Sequence, residues 1–157
     1  MRIGFASDIH RLVANRPLIL GGIKIPYEKG ELAHSDGDVV YHALTESLLG
    51  ALALGDLGTH FPDNDPKYKD IDSSILVKEV MVKVDEKGYK ISNIDISITL
   101  EQPKLRSYID EMRKNIAKLT NVNIDQVSVK AGTNEKLDDI GRGEAVKAES
   151  IVLLIEK

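Results

Sequence analysis

Residues 91–100, ISNIDISITL, carry the alternation that decides the fold. Isoleucine or leucine occupies every second position from 94 to 100, a pattern typical of a strand with one buried face. Pro103 ends this strand, residues 105–119 have a helical pattern, and apolar residues alternate again over 127–131. A strand, a helix and a strand in this order predict a crossover connection, which is right-handed if the two strands are parallel neighbours.

Further strands are predicted on both sides of this unit. Residues 2–7 favour a first strand and residues 150–155 a last one. Residues 18–20 (LIL) and 23–25 (IKI) flank Gly21-Gly22, so they predict a short hairpin with a glycine turn.

Two helices are predicted between the hairpin and residue 91. The first begins at Asp36, with Ser35 as its cap and Asp38 completing a capping box, and it has an apolar stripe up to residue 52. Asp38 lies one turn before His42 and is expected to orient its ring. The second helix covers 74–87 and ends at Gly88. Residues 55–72 are polar and are predicted to form a long loop.

These elements predict an α+β fold in a single domain, residues 1–157, with a mixed β-sheet, helices packed on one face and a small β-hairpin. The absence of cysteine excludes disulfides and thiolate metal sites. The net charge of -4 and the lack of a basic cluster argue against a nucleic-acid partner. No long apolar run or signal peptide is present, so we expect a cytoplasmic protein with no membrane partner.

The most informative side chains are those of Asp8, His10 and His42. Residues two apart in a strand project to the same side, so Asp8 and His10 are expected to bind one metal ion from the end of the first strand. His42, in the first helix, is available as a third ligand. Two imidazoles and a carboxylate suit zinc, and three protein ligands leave its fourth position open. The alternative is a chance Asp-x-His spacing with no metal.

Two polar segments suit phosphate or sugar binding. His34 and Ser35 stand before a predicted helix N-terminus, where free N–H groups favour an oxyanion. Asp56 is able to bind ribose hydroxyls, and Gly58 allows a sugar to approach the backbone. A capping turn and a solvated loop are the respective alternatives.

The segment KAGTNEKL, residues 130–137, follows a predicted strand. Gly132 permits a close backbone approach, Thr133 offers a hydroxyl donor, and Glu135 is an oxygen ligand fit for Mg²⁺. Further on, Arg142 stands between two glycines and suits either a phosphate or an ion pair with Glu144 or Glu149. The alternative interpretation of residues 130–137 is an ordinary turn at the end of a strand.

Taken together, these segments resemble the family of 2-C-methyl-D-erythritol 2,4-cyclodiphosphate synthases, enzymes of the non-mevalonate isoprenoid pathway. The matching motifs cover nearly the full length. They are DIH (8–10), PLILGG (17–22), IPYEKG (25–30), HSDGDV (34–39), ALGDLGTHFPD (53–63), KGY (87–89), PK (103–104), TNEKL (133–137) and GRGE (141–144). The sequence departs from the family pattern at residues 5–7, at Gly132 and at Asp138-Asp139.

The resemblance implies a role for each matching residue. It implies zinc, or another divalent cation, at Asp8, His10 and His42, and Mg²⁺ or Mn²⁺ at Glu135. It also implies that His34 and Thr133 are catalytic. The substrate contacts that it implies are Asp8, His10, Ser35, Asp56, Gly58, Phe61, Asp63, Asp65, Leu100, Lys104, Leu105, Arg106, Gly132, Thr133, Glu135, Asp139 and Arg142.

The implied reaction is an intramolecular phosphoryl transfer assisted by metal ions. The substrate is a small cytidine diphosphate compound, 4-diphosphocytidyl-2-C-methyl-D-erythritol 2-phosphate, and the products are the cyclodiphosphate and CMP. The family is homotrimeric, with active sites between adjacent subunits. Two alternatives stay open: a binding protein of the same fold that holds a cytidine nucleotide without turnover, and a metal-dependent phosphohydrolase.

Overall fold

A computed structural model describes residues 1–62 and 64–157. Its elements in chain order are β1 (Arg2–Ala14), β2 (Leu18–Leu20), β3 (Ile23–Ile25), β4 (Lys29–Glu31), α1 (Val39–Ala51), α2 (Leu57–His60), α3 (Ser74–Glu86), β5 (Tyr89–Thr99), α4 (Ile109–Thr120), β6 (Val127–Gly132), α5 (Asp138–Gly141) and β7 (Ala145–Glu156). No helix in these two ranges is long and apolar enough to cross a membrane.

The main sheet has the strand order β4-β1-β7-β5-β6. Only the β5–β6 pair is parallel, whereas β1 pairs antiparallel with β4 and β7, and β7 pairs antiparallel with β5. The predicted mixed sheet is therefore confirmed, and the strand–helix–strand unit that starts at residue 91 does join parallel neighbours. Its right-handedness stays a prediction.

The first and last strands of the chain, β1 and β7, are longer than the sequence predicted. Residues 2–7 and 150–155 form only parts of β1 and β7. The boundaries were wrong because polar residues continue the ladder between them: Asp8 pairs with Ala148 and His10 with Val146. As a result, Asp8 and His10 lie within a long strand rather than at its tip.

One face of the main sheet forms the core. Alternate residues of β5 and β7, such as Ile96 and Val152, are completely buried. α1 packs on β1 and β7, α3 on β5, and α4 on β6. The opposite face has no covering element in the described chain, and it leaves Ile3, Phe5 and Ile9 exposed.

The predicted hairpin is confirmed as a separate two-stranded sheet of β2 and β3. Its turn residues Gly21 and Gly22 have φ of 57° and 75°. Positive φ at both central positions matches the turn type that suits the twist of a hairpin, and glycine adopts it without steric cost.

The predicted start of α1 was wrong. The helix begins at Val39, and Asp38 is its N-cap, accepting hydrogen bonds from the N–H groups of Val40 and Tyr41. The hydroxyl of Ser35 instead accepts from the N–H of Gly37, so it does not cap the helix.

The other helices follow the predicted pattern with shifted ends. α3 matches the predicted 74–87 to within one residue and is followed by Gly88 with φ of 76°. The start predicted at 105 is wrong for α4, because a short 3-10 helix, Arg106–Tyr108, precedes it. The segment 55–72 is not wholly loop, since it contains α2 and the 3-10 helix Pro66–Tyr68.

Candidate metal centre and active site

Packing of α1 across β1 brings the three predicted metal ligands together. The Nε2 atom of His10 lies 3.0 Å from Oδ2 of Asp8 and 3.3 Å from Nδ1 of His42. The Nδ1 atom of His42 is 3.4 Å from the same carboxylate oxygen. Asp8, His10 and His42 are the one group of three or more potential ligands that residues 1–62 and 64–157 bring within metal-binding distance.

The spacing of these three atoms fits a tetrahedral cation. Zinc bonds of about 2.0–2.2 Å at tetrahedral angles place neighbouring ligand atoms roughly 3.3–3.5 Å apart. The measured sides of the triangle are 3.0, 3.3 and 3.4 Å. Two nitrogens and one carboxylate oxygen therefore already stand close to three corners of a divalent-cation site, and the fourth corner is free for a ligand oxygen.

The other ring nitrogens are held by neighbours. Nδ1 of His10 lies 2.7 Å from the carbonyl oxygen of Gly37, so Nδ1 donates a proton to that carbonyl and Nε2 is the nitrogen that a metal would bind. Nε2 of His42 lies 3.1 Å from Oγ of Ser35 and 3.0 Å from Oγ of Ser73. Such outer contacts fix the orientation of a ligating histidine.

Asp38 does not orient His42, contrary to the prediction. Its carboxylate accepts from the N–H groups of Gly21 and Gly22 and from those of two residues in the first turn of α1. These bonds tie the hairpin to the helix and engage both carboxylate oxygens. Asp38 therefore supports the centre indirectly, by fixing where α1 begins.

The opposite charges of Asp8 and His10 stabilise each other. Burial raises the pKa of Asp8, but the hydrogen bond from His10 and the positive charge of that ring outweigh burial and hold the pKa of Asp8 well below its usual range. Burial lowers the pKa of His10, yet Asp8 and Glu31 together raise it to about 10. Without a cation, a carboxylate and an imidazolium therefore hold the centre together.

The centre opens into a cavity of about 390 Å³, which we call the metal cavity. His34, Ser35, Gly58 and Phe61, all predicted site residues, line it together with the three ligands. Nε2 of His34 is buried and has no hydrogen-bond partner among the described residues. The rest of the lining is Leu32, Ala33, Glu46, Leu57, Tyr68, Ile71 and Leu76.

Two residues predicted to contact the substrate form helix-capping hydrogen bonds in the structure. Asp56 caps α2 and accepts from the N–H and hydroxyl of Thr59. Asp65 caps the 3-10 helix and accepts from the N–H of Lys67. Neither lines the cavity. Asp63 lies outside the described residues.

A second group of predicted site residues lies away from the metal centre. Thr133, Glu135 and Arg142 line a cavity of about 800 Å³, and Lys104 is shared between it and a cavity of about 480 Å³. The smaller of these two cavities is also lined by Leu100, Leu105, Arg106, Gly132 and Thr133. Among the residues that the structure describes, neither cavity shares a lining residue with the cavity at the metal centre, so one chain by itself does not unite the two groups.

The ion-pair alternative for Arg142 is confirmed, with a different main partner. Its guanidinium pairs with Asp139, and its Nε lies 4.0 Å from Glu144. The predicted pairing with Glu149 is wrong, since that carboxylate pairs with Lys147 at 2.8 Å.

Sequence reasoning missed three residues near the centre. Glu46 lies one helical turn after His42, and this spacing would have placed it at the cavity. Glu31 is fully buried, with Oε1 3.8 Å from Nδ1 of His10. Ser73 is fully buried against His42. Nothing in the sequence marks Glu31 or Ser73, because both come into contact only through tertiary packing.

A family model described as the YgbB family matches residues 1–155. The 2-C-methyl-D-erythritol 2,4-cyclodiphosphate synthase of Brachyspira hyodysenteriae is 56% identical over 154 residues, covering 98% of each chain. The synthase of Clostridium perfringens is 55% identical over 156 residues, covering 99% of this chain and 100% of its own length.

Solved structures agree with these sequence matches. The bifunctional IspDF from Campylobacter jejuni superposes with a TM-score of 0.95 at 42% identity, covering 99% of this chain and 42% of that longer one. The Plasmodium falciparum IspF in complex with CDP gives a TM-score of 0.88 at 38% identity, covering 99% and 96%. The chain therefore belongs to the YgbB family, together with the curated 2-C-methyl-D-erythritol 2,4-cyclodiphosphate synthases.

Proposed function

We infer that this chain converts 4-diphosphocytidyl-2-C-methyl-D-erythritol 2-phosphate to 2-C-methyl-D-erythritol 2,4-cyclodiphosphate and CMP. It is an enzyme, a phosphorus–oxygen lyase of non-mevalonate isoprenoid precursor biosynthesis. The observation that carries the inference is the open Asp8–His10–His42 centre on a cavity wall, in a chain that matches the curated synthases over 98% or more of its length.

The chemistry needs no nucleophile from the protein. An oxygen of the 2-phosphate attacks the β-phosphorus, a new P–O bond closes the ring, and the bond to the bridging oxygen breaks so that its electron pair leaves with CMP. Both reacting groups are anionic, so charge neutralisation and positioning are the main tasks of the site. Holding the two groups in line is worth up to about 7–11 kcal/mol of the barrier.

We propose zinc as the ion at Asp8, His10 and His42, because two imidazoles and one carboxylate are its common donors. A bound divalent cation neutralises phosphate charge and polarises a phosphoryl oxygen. We further propose Mg²⁺ or Mn²⁺ at Glu135, whose exposed carboxylate is a suitable hard ligand. The donor chemistry of each residue supports these assignments.

His34 and Thr133 are the proposed catalytic residues. The Nε2 atom of His34 is buried beside the metal cavity and has no hydrogen-bond partner within residues 1–62 and 64–157. It is positioned to donate to a phosphate oxygen as the charge of that oxygen grows. Thr133 offers a hydroxyl at the end of β6 and lines both outer cavities. Ser35, whose hydroxyl is 3.1 Å from the His42 ring, is the proposed contact to a phosphate near the ion.

The apolar part of the metal cavity is the proposed site for the methylerythritol portion. Phe61, Leu57 and Leu76 supply the apolar wall of this cavity. Gly58 leaves the backbone accessible there. Asp56, Asp63 and Asp65 are proposed contacts to the same end of the substrate, on the family resemblance alone.

The cavity of about 480 Å³ is the proposed cytidine site. Lys104 and Arg106 line this cavity and supply positive charge for a diphosphate. The Plasmodium falciparum relative was solved as a CDP complex, which supports a cytidine diphosphate ligand. The remaining proposed contacts are Leu100, Leu105, Gly132, Asp139 and Arg142.

We propose a homotrimer in which the metal cavity of one subunit faces the cytidine site of the next. The separation of the two groups of residues within a chain supports this arrangement. The open sheet face supports it as well, since Ile3, Phe5 and Ile9 are 70%, 60% and 55% exposed there. Exposed apolar side chains clustered on one face are typical of an interface.

The sequence-based predictions of one domain over 1–157 and of a cytoplasmic location stay proposals. The single core that α1, α3 and α4 form with the main sheet supports the first. A cysteine-free chain is compatible with the second.

Phosphorus NMR of the reaction with the cytidyl substrate tests the proposed function. We expect the signals of a cyclic diphosphate and of CMP, and their loss when a chelator is added or when His42→Ala is used. A linear product that contains solvent oxygen would identify a phosphohydrolase instead. Tight cytidine nucleotide binding with no product would identify a binding protein.

A further inference from the structure

Ser73 has an unusual role for a serine at the start of a helix. It stands immediately before α3, at the N-cap position, yet its side chain makes no capping hydrogen bond. Serine at this position normally accepts from a helix N–H group. Here the side chain is fully buried and turned toward α1, with Oγ 3.0 Å from Nε2 of His42. The N–H of Ser74, the first residue of α3, donates instead to Oδ1 of Asp72 at 2.8 Å, which leaves the Ser73 hydroxyl available for this contact.

The other partner of Ser73 decides where the protons lie. Oγ of Ser73 is 2.5 Å from Oδ1 of Asp36, and the other oxygen of this carboxylate accepts from the N–H of Ser73 at 3.1 Å. A carboxylate only accepts, so the single hydroxyl proton of Ser73 goes to Asp36. The hydroxyl oxygen is then left to accept from His42, which requires the proton of the ring to be on Nε2.

This proton arrangement aims the lone pair of Nδ1 of His42 at the other two ligands. Nδ1 is the atom that lies 3.3 Å from His10 and 3.4 Å from Asp8. With the opposite tautomer, a proton on Nδ1 would occupy the position of the cation. The tautomer of His42 is thus a condition for metal binding.

Ser35 also touches the ring but does not fix the tautomer. Its Oγ lies 3.1 Å from Nε2 of His42 and accepts from the N–H of Gly37. Among residues 1–62 and 64–157 no carboxylate takes its hydroxyl proton, so Ser35 is able either to donate to the ring or to accept from it. Only the Ser73 contact selects one form.

We propose that Asp36 and Ser73 are positioning residues of the metal centre, forming a chain from carboxylate to hydroxyl to imidazole that holds His42 with its proton on Nε2 and its Nδ1 free for the cation. This inference rests on the proposed metal binding by Asp8, His10 and His42, and it does not depend on the reaction. In metal sites generally, a carboxylate often bonds the ligating histidine directly. In this chain a serine stands between the two.

Zinc affinity provides the first test, measured by competition with a chromophoric chelator. Loss of an outer partner typically weakens metal binding by about 10- to 100-fold, and we expect Ser73→Ala to do so. Ser150→Ala is the matched control, because Ser150 is also fully buried and bonds to Ser47 at 2.9 Å, with no hydrogen bond to the centre. We expect the control to bind zinc like the wild type, within about twofold.

The imidazole nitrogen shifts of metal-free protein provide the second test, at a pH where His42 is neutral. We expect only the Nε2–H tautomer of His42 in the wild type and in Ser150→Ala, and a mixture of both tautomers in Ser73→Ala. A merely structural role of Ser73 would not change the tautomer.

A double variant tests whether the two residues act as one unit. Asp36→Asn places a donor where both carboxylate oxygens now accept, so we expect weaker zinc binding and a mixed tautomer here too. Residues that act through the same contact have non-additive effects, so Asp36→Asn with Ser73→Ala should lose no more affinity than Ser73→Ala alone. Should Ser73→Ala not fold, Asp36→Asn alone gives both measurements.

The outcomes separate this inference from the proposed function. Folded variants with wild-type zinc affinity and an unchanged tautomer would overturn the positioning role. Additive losses would overturn the single chain of contacts. Wild-type protein that binds no zinc would instead overturn the metal centre itself, whichever tautomer the nitrogen shifts reveal.

Discussion

The Nε2 atom of His10 and the Nδ1 atom of His42 lie 3.3 Å apart, although the two residues are 32 positions apart in the chain. Their distance depends on how closely α1 approaches β1. The two elements approach closely at Gly4, where an added Cβ would come within 1.9 Å of the carbonyl oxygen of Ser47. Gly4 therefore sets the separation between the strand and the helix that carry the metal ligands.

Gly4→Ala should weaken both the fold and the metal centre. The added methyl group meets backbone atoms, which cannot rotate away, so we expect a loss of about 1–3 kcal/mol in the free energy of unfolding. Because the helix must shift, zinc affinity should also fall. Urea unfolding and chelator competition measure the two effects.

Gly50→Ala is the control for the same helix. A Cβ at Gly50 would meet only the carbonyl oxygen of Phe5, at 3.9 Å. Replacing an unhindered glycine within a helix by alanine is worth about 0.5–1 kcal/mol of added stability. If Gly4→Ala proved as stable as Gly50→Ala, close packing at Gly4 would not be what positions the ligands.

Zinc should stabilise the folded chain by mass action. At about 100 times its dissociation constant, a ligand that binds only the folded state adds about 2.7 kcal/mol to the free energy of unfolding. His42→Ala removes one of the three ligands and should lose most of this gain. An equal gain in the wild type and in the variant, measured by urea unfolding with and without zinc, would place the ion elsewhere.

Two inactive variants should restore activity when they form trimers together. His42→Ala removes a ligand of the metal centre, and Glu135→Gln removes a carboxylate from the second group of predicted site residues. Each variant alone should therefore be inactive. If each site lies between two subunits, an equal mixture that is unfolded and refolded should contain about one quarter intact sites. The expected activity is therefore roughly one quarter of the wild-type value, measured as CMP release.

The control for this experiment is to mix the two variants without unfolding, so that subunits do not exchange. This mixture should stay inactive. No recovery after refolding, with trimers confirmed by light scattering, would mean that each site is built within one subunit.

The stability of the metal-free chain should depend on pH through Asp38. Burial and the neighbouring charge of Glu31 raise the pKa of Asp38 from 3.8 to about 7, despite several backbone N–H donors. Over this range the folded state holds a proton that the unfolded state has released, so the free energy of unfolding falls as the pH rises from 3.8 to about 7.

Comparison with Asp38→Asn isolates this effect, since the variant lacks the titrating group. The stability of the wild type relative to the variant should fall over the same window, by at most about 1.4 kcal/mol per pH unit. Unfolding in urea with a chelator present gives the values. A relative stability that rises with pH would show that the N–H donors, rather than burial, control this carboxyl group.

Local patterns were enough to predict much of the fold. The alternation over 91–100 and the glycine pair at 21–22 identified β5 and the hairpin, because side-chain period and turn chemistry are local properties. Helix and strand ends were predicted less well. Asp38, not Ser35, caps α1, because the Asp38 carboxylate also accepts from the hairpin and so is held at the N-terminus by tertiary contacts.

The metal ligands were predictable from residue type, whereas the residues that hydrogen-bond or pair with the ligating histidines were not. Asp8, His10 and His42 have few other chemical uses in combination. Ser73 and Glu31 belong to segments with no recognisable motif. The packing of α3 against α1 brings Ser73 to the centre, and the pairing of β4 with β1 brings Glu31 there. Asp56 and Asp65 were predicted as contacts, but local capping accounts for their observed bonds.

Element-specific anomalous X-ray scattering from crystals grown with zinc tests the central claim most directly. We predict a single strong zinc peak about 2.0–2.2 Å from Oδ2 of Asp8, Nε2 of His10 and Nδ1 of His42, with its fourth position facing the cavity that His34 lines. A structure in which those three atoms hold no ion at saturating zinc would contradict the account.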